Sequence, residues 1–137
     1  MGKKGNVAII TGASSGMGRE FAVQIAQNYP SIHEFWIVAR RRERLEELQD
    51  LSRQEGIDTL EKALAEEQPR VRILVNAAGF GIIGKIGKMK EEDCTGMVDT
   101  NCRALTAVTH ITLPYMTEQG QIIQMASSAA FMPQPGF

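Results

Sequence analysis

The sequence is poor in the residues that build disulfide frameworks and metal sites. Its 137 residues include only two cysteines and two histidines. Cys94 and Cys102 have no second pair of cysteines and no histidine at ligand spacing, so neither a disulfide framework nor a zinc site is predicted. We expect two reduced thiols on or near one helix.

The sequence also lacks an excess of charge of one sign, and it lacks long apolar runs. Fifteen Lys and Arg oppose sixteen Asp and Glu, and the net charge of −1 gives no global field that would attract nucleic acid or an anionic membrane. The apolar runs are too short to cross a bilayer, and the amino-terminal residues lack the apolar core of a signal peptide. A cytoplasmic protein without nucleic-acid or membrane partners is expected.

Strand-like and helix-like segments alternate along the chain. Short apolar stretches predict strands over residues 7–10, 35–39, 71–75 and 121–125. Apolar residues at helical spacing predict helices over residues 17–28, 45–48, 57–67 and within 91–116, with a loop over residues 80–87. This alternation predicts a Rossmann-like, doubly wound parallel sheet in a three-layer α/β/α arrangement. The length suits one domain, residues 1–137.

A glycine-rich turn joins the first predicted strand to the first predicted helix. Its spacing is G-x-x-x-G-x-G, and its glycines allow a tight turn in which a pyrophosphate approaches backbone N–H groups at the helix N-terminus. No Lys-Ser/Thr pair follows, which disfavours a P-loop NTPase. The predicted cofactor-binding residues of this turn are Gly12, Ser14, Ser15, Gly16, Met17 and Gly18.

The residues at the end of the second predicted strand indicate which dinucleotide is bound. In dinucleotide folds an acidic residue there accepts a hydrogen bond from the ribose 2′-hydroxyl, whereas an arginine pairs with a 2′-phosphate. Here Ala39 offers no carboxylate and is followed by Arg40 and Arg41, so NADP(H) is favoured over NAD(H). Arg42 and Arg44 are interpreted as the solvated start of a helix.

Four motifs in succession resemble those of the short-chain dehydrogenase/reductase (SDR) family. The glycine-rich turn is followed by Asn76-Ala77-Ala78-Gly79, then by Asn101 within Asp-Thr-Asn-Cys, then by Ile-Ile-Gln-Met-Ala-Ser-Ser at residues 122–128. The resemblance covers nearly the whole chain. It implies that Asn76, Ala77, Ala78 and Gly79 lie beside the bound nucleotide.

The resemblance also implies a reaction. Members of the family move a hydride between a nicotinamide and a carbonyl or alcohol, using a Tyr as acid and base, a Lys that lowers the pKa of that Tyr, and a Ser that hydrogen-bonds the substrate oxygen. By match of motif, Ser128 is that serine in preference to Ser127, and Asn101 is the asparagine that completes the proton relay. A small-molecule carbonyl or alcohol is therefore the implied substrate.

The sequence departs from the family's pattern at two places. The family has a strand before an Asp-Leu pair that contacts adenine, whereas here Asp50 and Leu51 follow the predicted helical segment directly. The sequence also ends at Phe137 without the Tyr-x-x-x-Lys motif, and neither Tyr29 nor Tyr115 has a Lys four residues later. We therefore expect an incomplete sheet, a chain without activity on its own and a longer native protein.

Two other interpretations remain open. A non-catalytic dinucleotide-binding sensor or interaction module would keep the glycine-rich turn, but it would require neither Ser128 nor Asn101. Another Rossmann-like binder, such as a methyltransferase, would need an acidic residue at the end of the second strand. The SDR resemblance further implies a homodimer or homotetramer, with residues 91–116 as the candidate interface.

Overall fold

The computed structural model describes residues 5–38 and 50–132. The strands are β1 (Asn6–Thr11), β2 (Ile32–Val38), β3 (Arg70–Asn76) and β4 (Met116–Gln124). The helices are α1 (Gly16–Asn28), α2 (Gln54–Glu67), α3 (Glu91–Val98) and α4 (Leu105–Thr112), and a π-helical segment (Asp99–Ala104) joins the last two. All paired strands are parallel, in the order β2-β1-β3-β4, which confirms the predicted sheet.

Three elements begin at least three residues earlier than the apolar pattern predicted. β2 was expected from Phe35 but starts at Ile32. β4 was expected from Gln121 but starts at Met116, which pairs with Val71 before a register shift brings Gln121 opposite Ile73. The polar residues inside this irregular stretch show no alternation that would reveal a strand. α2 begins at Gln54 rather than Ile57. The apolar pattern did not reveal its first turn, because Gln54 and Glu55 are polar. The helix predicted over residues 45–48 lies outside the described residues.

Helices cover both faces of the sheet. Successive residues of β1 point to opposite sides, as the pleat of a strand requires. Those of β3 do the same from Ile73 onward, after a register shift that follows Val71. On one face, Val7, Ile9, Val71 and Leu74 pack with Ile57, Leu60 and Leu64 of α2 and Val108 of α4. On the other face, Ala8, Ile10, Ile73 and Val75 pack with Ile25 of α1. The result is the predicted three-layer arrangement with β1 and β3 at its centre.

The strand order places a crevice between β1 and β3. The chain leaves β1 toward β2 on one side and later adds β3 on the other, so the order reverses between these two strands. In parallel α/β sheets, ligands bind at such a switch point, outside the carboxyl ends of the strands. Among the described residues β2 pairs only with β1, in agreement with the predicted incomplete sheet. Within the described ranges, no helix has both the length and the apolarity needed to cross a membrane.

Candidate nucleotide-binding site

A cavity of about 360 Å³ lies at the carboxyl edge of the sheet, where β1 and β3 end side by side. Five segments that are far apart in sequence line it: the glycine-rich turn, the end of β2, the residues before α2, the residues after β3 and the π-helical segment. The predicted cofactor-binding residues that line it are Gly12, Ser14, Ser15, Gly16, Met17, Gly18, Leu51, Ala77, Ala78 and Gly79. The fold therefore brings most of the predicted binding residues to one place.

Close backbone contacts require glycine at two of the three glycine positions of the turn. Gly12 has a φ of +71°, and a Cβ atom built on it would lie 2.7 Å from the carbonyl carbon of Ala77 and the nitrogen of Ala78. A Cβ on Gly18 would lie 2.7 Å from the carbonyl carbon of Gly12. Gly16 differs, since its φ is +58° but no atom lies within 4 Å of its Cβ position. Gly16 thus leaves open space in the wall of the cavity.

The N-terminus of α1 points into this cavity, and no side chain of the Ser15 cap or of the first turn neutralises or caps it. Ser15 is the N-cap residue but its side chain makes no capping hydrogen bond, and the first turn contains no acidic residue. The first N–H groups of a helix lack partners within the helix, and they carry the positive end of its dipole. A phosphate group is the complementary ligand for such a site. The turn therefore fits the pyrophosphate of a dinucleotide.

Thr11 fixes the turn to the end of β3. Its side chain is only 1% exposed, and its Oγ1 accepts hydrogen bonds from the backbone N–H groups of Ala77 (3.1 Å) and Ala78 (3.0 Å). On the other side, the N–H of Gly12 donates to the carbonyl of Val38 at 2.7 Å. The sequence prediction did not include Thr11 among the site residues, although it opens the glycine-rich motif.

Two of the predicted binding residues support the cavity without lining it. Asn76 is 2% exposed, and its Nδ2 donates to Thr109 Oγ1 (2.9 Å) and to Gln124 Oε1 (3.0 Å), which joins β3 to α4 and β4. Asp50 Oδ1 accepts from the N–H (3.0 Å) and the Oγ (2.6 Å) of Ser52. These bonds hold the Asp50 carboxylate in a local turn beside Leu51.

Asn101 lies in the π-helical segment and binds the backbone of the loop after β3. Its Oδ1 accepts from the N–H of Phe80 at 3.0 Å, and its Nδ2 donates to the carbonyl of Phe80 at 2.7 Å. Such π-helical turns are frequent at functional sites. Because Phe80 lines the cavity, Asn101 is tied to the wall that follows Gly79.

Ser128 follows β4 at the same edge of the sheet. It begins a short 3₁₀ turn (Ser128–Ala130) and is exposed, but it is not among the residues that line the cavity. Ser127 Oγ accepts from the N–H of Ala129 at 3.1 Å and caps this turn. The N–H of Met125 donates to the carbonyl of Asn76 at 3.0 Å, so the chain leaves β4 directly beside the end of β3.

Four lining residues were not predicted from the sequence. They are Val38, Ser52, Phe80 and Thr100. Ser52, Phe80 and Thr100 are the sequence neighbours of the predicted residues Leu51, Gly79 and Asn101, respectively. Their position next to these motif residues could have identified them from the sequence. The two arginines predicted to bind a 2′-phosphate, Arg40 and Arg41, lie outside the described residues.

A second concavity, of about 620 Å³, lies at the opposite edge of the sheet. Its lining residues, which include Arg70, Arg72 and Tyr115, contain no glycine and belong to no helix N-terminus. Tyr29, at the C-terminus of α1, also lies at this amino edge. Both tyrosines are therefore remote from the glycine-lined cavity, in keeping with their exclusion as the family's catalytic Tyr.

Known proteins resemble the chain over almost its whole length. An uncharacterized oxidoreductase of Staphylococcus epidermidis is 33% identical over 144 residues, which cover 95% of this chain and 61% of that protein. The NADP-dependent 3-hydroxy acid dehydrogenase of Escherichia coli is 30% identical over 145 residues, covering 95% of this chain and 57% of that protein. The chain thus spans less than two thirds of the length of either relative.

A solved structure shows the same fold. The short-chain dehydrogenase of Sphingobium yanoikuyae, in complex with NADPH, matches with a TM-score of 0.83 and 28% identity over 96% of this chain and 57% of that one. The family model described as short chain dehydrogenase matches residues 6–137. This chain belongs to the short-chain dehydrogenase/reductase family.

Proposed function

We propose that the chain binds NADP(H) in the glycine-lined cavity, and that the protein transfers a hydride between the nicotinamide and a carbonyl or alcohol substrate. One observation carries this proposal: the uncapped N-terminus of α1 faces a cavity whose glycines leave the backbone open to a ligand. The relatives are named oxidoreductases and dehydrogenases, which favours this function over a non-catalytic sensor or interaction module.

Each part of the cavity has a role in holding the cofactor, which supplies or accepts the hydride when bound. The N–H groups of the first turn of α1 hold the pyrophosphate. The small side chains of Ala77 and Ala78 let the cofactor approach the end of β3, and Leu51 forms a wall for the adenine. Residues 1–137 then act as a single nucleotide-binding domain, with Asp50 and Asn76 fixing its walls.

The preference for NADP(H) rests on Arg40 and Arg41. They follow Val38, which lines the cavity and accepts a hydrogen bond from Gly12. An arginine near this point can pair with a 2′-phosphate, whereas the ribose of NAD(H) would need a carboxylate that Ala39 does not provide. The Escherichia coli relative is named NADP-dependent, and the Sphingobium structure contains NADPH, which support this choice.

Asn101 and Ser128 are the proposed catalytic residues of this chain. Asn101 is already held against Phe80 in the wall of the cavity, so its amide is fixed close to the cofactor site. Ser127 Oγ is engaged as the cap of the 3₁₀ turn, which supports Ser128 as the hydroxyl that orients the substrate oxygen. Proton transfer to that oxygen is the family role of the Tyr-Lys pair.

Arg40→Ala is expected to weaken NADPH binding far more than NADH binding. Loss of a charge-assisted bond to the 2′-phosphate should raise the Kd for NADPH by about 10- to 100-fold. The Kd for NADH should stay nearly constant, because NADH has no 2′-phosphate. Titration of each variant with both nucleotides, followed by nicotinamide fluorescence, measures the two constants.

Arg42→Ala is the matched control, because Arg42 is interpreted as a solvated residue of the same charge run. It should leave both dissociation constants close to those of the wild type. Equal losses for NADPH and NADH in Arg40→Ala would contradict the 2′-phosphate role. A wild-type chain that prefers NADH would overturn the proposed cofactor.

We also propose that α3 and α4 pair two chains into a homodimer, or a homotetramer built from such pairs. Val98 and Leu113 are large apolar residues on this helical region, and their side chains are 59% and 51% exposed. Burial of such side chains at an interface is favourable. Light scattering of the wild type and of Val98→Glu should show a dimer or tetramer that the variant dissociates; a monomeric wild type would contradict this.

A further inference from the structure

Arg103 connects the helical segment that carries Asn101 to the residues before α2. Its Nε donates to Asp99 Oδ1 at 3.1 Å, on its own segment. Its Nη1 donates to Gln54 Oε1 at 3.2 Å, and its Nη2 donates to the carbonyl oxygen of Ser52 at 2.6 Å. One guanidinium group thus binds three acceptors, two of which are about fifty residues away in sequence.

One of the residues that Arg103 binds, Ser52, lies in a wall of the nucleotide cavity. Leu51 and Ser52 both line it, and Leu51 is buried in the core beneath. The N–H and Oγ of Ser52 are bound to Asp50, while its carbonyl oxygen is bound to Arg103. The two peptide groups that flank Ser52 are therefore each held by a hydrogen bond, one to Asp50 and the other to Arg103.

Close packing of α2 strengthens this arrangement. A Cβ on Gly56 would lie 2.7 Å from the carbonyl carbon of Asp50, so the helix approaches the Asp50 turn as closely as a glycine allows. Arg103 holds the other end of this turn through Ser52. Thr100, three residues before Arg103, lines the cavity as well. The wall and the π-helical segment therefore form one connected unit.

We propose that Arg103 is a positioning residue for the adenine half of the dinucleotide. It acts through the Ser52 carbonyl, by fixing the Leu51 and Ser52 wall against which the adenosine packs. This inference rests on the proposed nucleotide site. A purely structural ion pair with Asp99 would be a weak i,i+4 interaction, because both side chains are partly exposed to solvent. The bond to Ser52 gives Arg103 a specific effect on the cavity.

Arg103→Met tests this role, because methionine keeps an unbranched apolar stem and removes all three hydrogen bonds. Three probes are titrated into the full chain: NADPH, adenosine 2′,5′-bisphosphate for the adenosine half, and reduced nicotinamide mononucleotide for the other half. The Kd for NADPH and for the bisphosphate should each rise about tenfold, because the wall formed by Leu51 and Ser52 loses the hydrogen bond that positions it. The Kd for the mononucleotide should not change. Arg103→Lys should recover part of the loss.

Lys62→Met is the control, since it removes an exposed ion pair with Glu66 on α2 and should leave all three constants unchanged. Unchanged affinity for the bisphosphate in Arg103→Met would overturn the inference, and so would an equal loss for all three probes. A wild-type chain that binds neither NADPH nor the bisphosphate would instead overturn the proposed function itself. Urea unfolding of each variant separates lost affinity from lost stability.

Discussion

Gly12→Ala is expected to lower the free energy of unfolding by roughly 2–5 kcal/mol and to abolish measurable NADPH binding. An L-residue at a left-handed position costs about 1–2 kcal/mol. The added Cβ would also lie 2.7 Å from the backbone of Ala77 and Ala78, and relief of such overpacking costs about 1–3 kcal/mol. Because the turn and the end of β3 must separate, the cavity between them changes shape. Urea unfolding and NADPH fluorescence measure the two effects.

Gly16→Ala provides the matched comparison within the same turn. Gly16 has a similar positive φ, but no atom lies within 4 Å of its Cβ position. Its stability loss should therefore be limited to about 1–2 kcal/mol of backbone conformation. NADPH affinity should still fall by about tenfold or more, because the new methyl group occupies space in the wall of the cavity. Equal stability losses in the two variants would contradict the assigned contacts.

Thr11→Val is expected to lower the free energy of unfolding by roughly 2–6 kcal/mol, although valine has nearly the same shape as threonine. The hydroxyl of Thr11 is the acceptor for two backbone N–H groups, those of Ala77 and Ala78. Both donors are partly buried, and each one left without an acceptor costs about 1–3 kcal/mol. NADPH binding should also weaken, since these hydrogen bonds hold the end of β3 against the turn. Chemical denaturation of the variant gives the stability change.

Thr11→Ser is the control, because serine keeps the hydroxyl and loses only a buried methyl group. Its cost should be about 1 kcal/mol. The difference between the valine and serine variants isolates the two hydrogen bonds of the hydroxyl. If the valine variant is as stable as the serine variant, Thr11 does not join the glycine-rich turn to β3 in the way described.

The strands and the glycine-rich turn could be predicted because their determinants are local. Apolar runs of the length of a strand identify β1 and β3, and the need for glycine at position 12 follows from the tight turn itself. The early start of β4 could not be predicted. It depends on the pairing of Met116 with Val71 across the sheet, and the polar residues that follow carry no strand pattern.

The residues that line the cavity could be predicted only where they belong to a recognisable sequence motif. Ser52 joins it through a turn with Asp50 and through Arg103, which is 51 residues further along the chain. Asn76 was expected beside the nucleotide from its motif, but the motif does not indicate that its amide binds Thr109 and Gln124, which are 33 and 48 residues away. Such roles depend on which side chains the fold brings together, and the spacing of neighbouring residues in the sequence does not predict them.

The central claim is that a dinucleotide binds at the switch point between β1 and β3. Addition of NADPH to the ¹⁵N-labelled chain tests it most directly through amide chemical shifts. We predict saturable shifts at residues 12–18, at Leu51 and Ser52, at residues 77–80 and at Thr100. Shifts confined to residues 70–72 and 115–119, at the opposite edge of the sheet, would contradict the claim, as would the absence of any saturable shift.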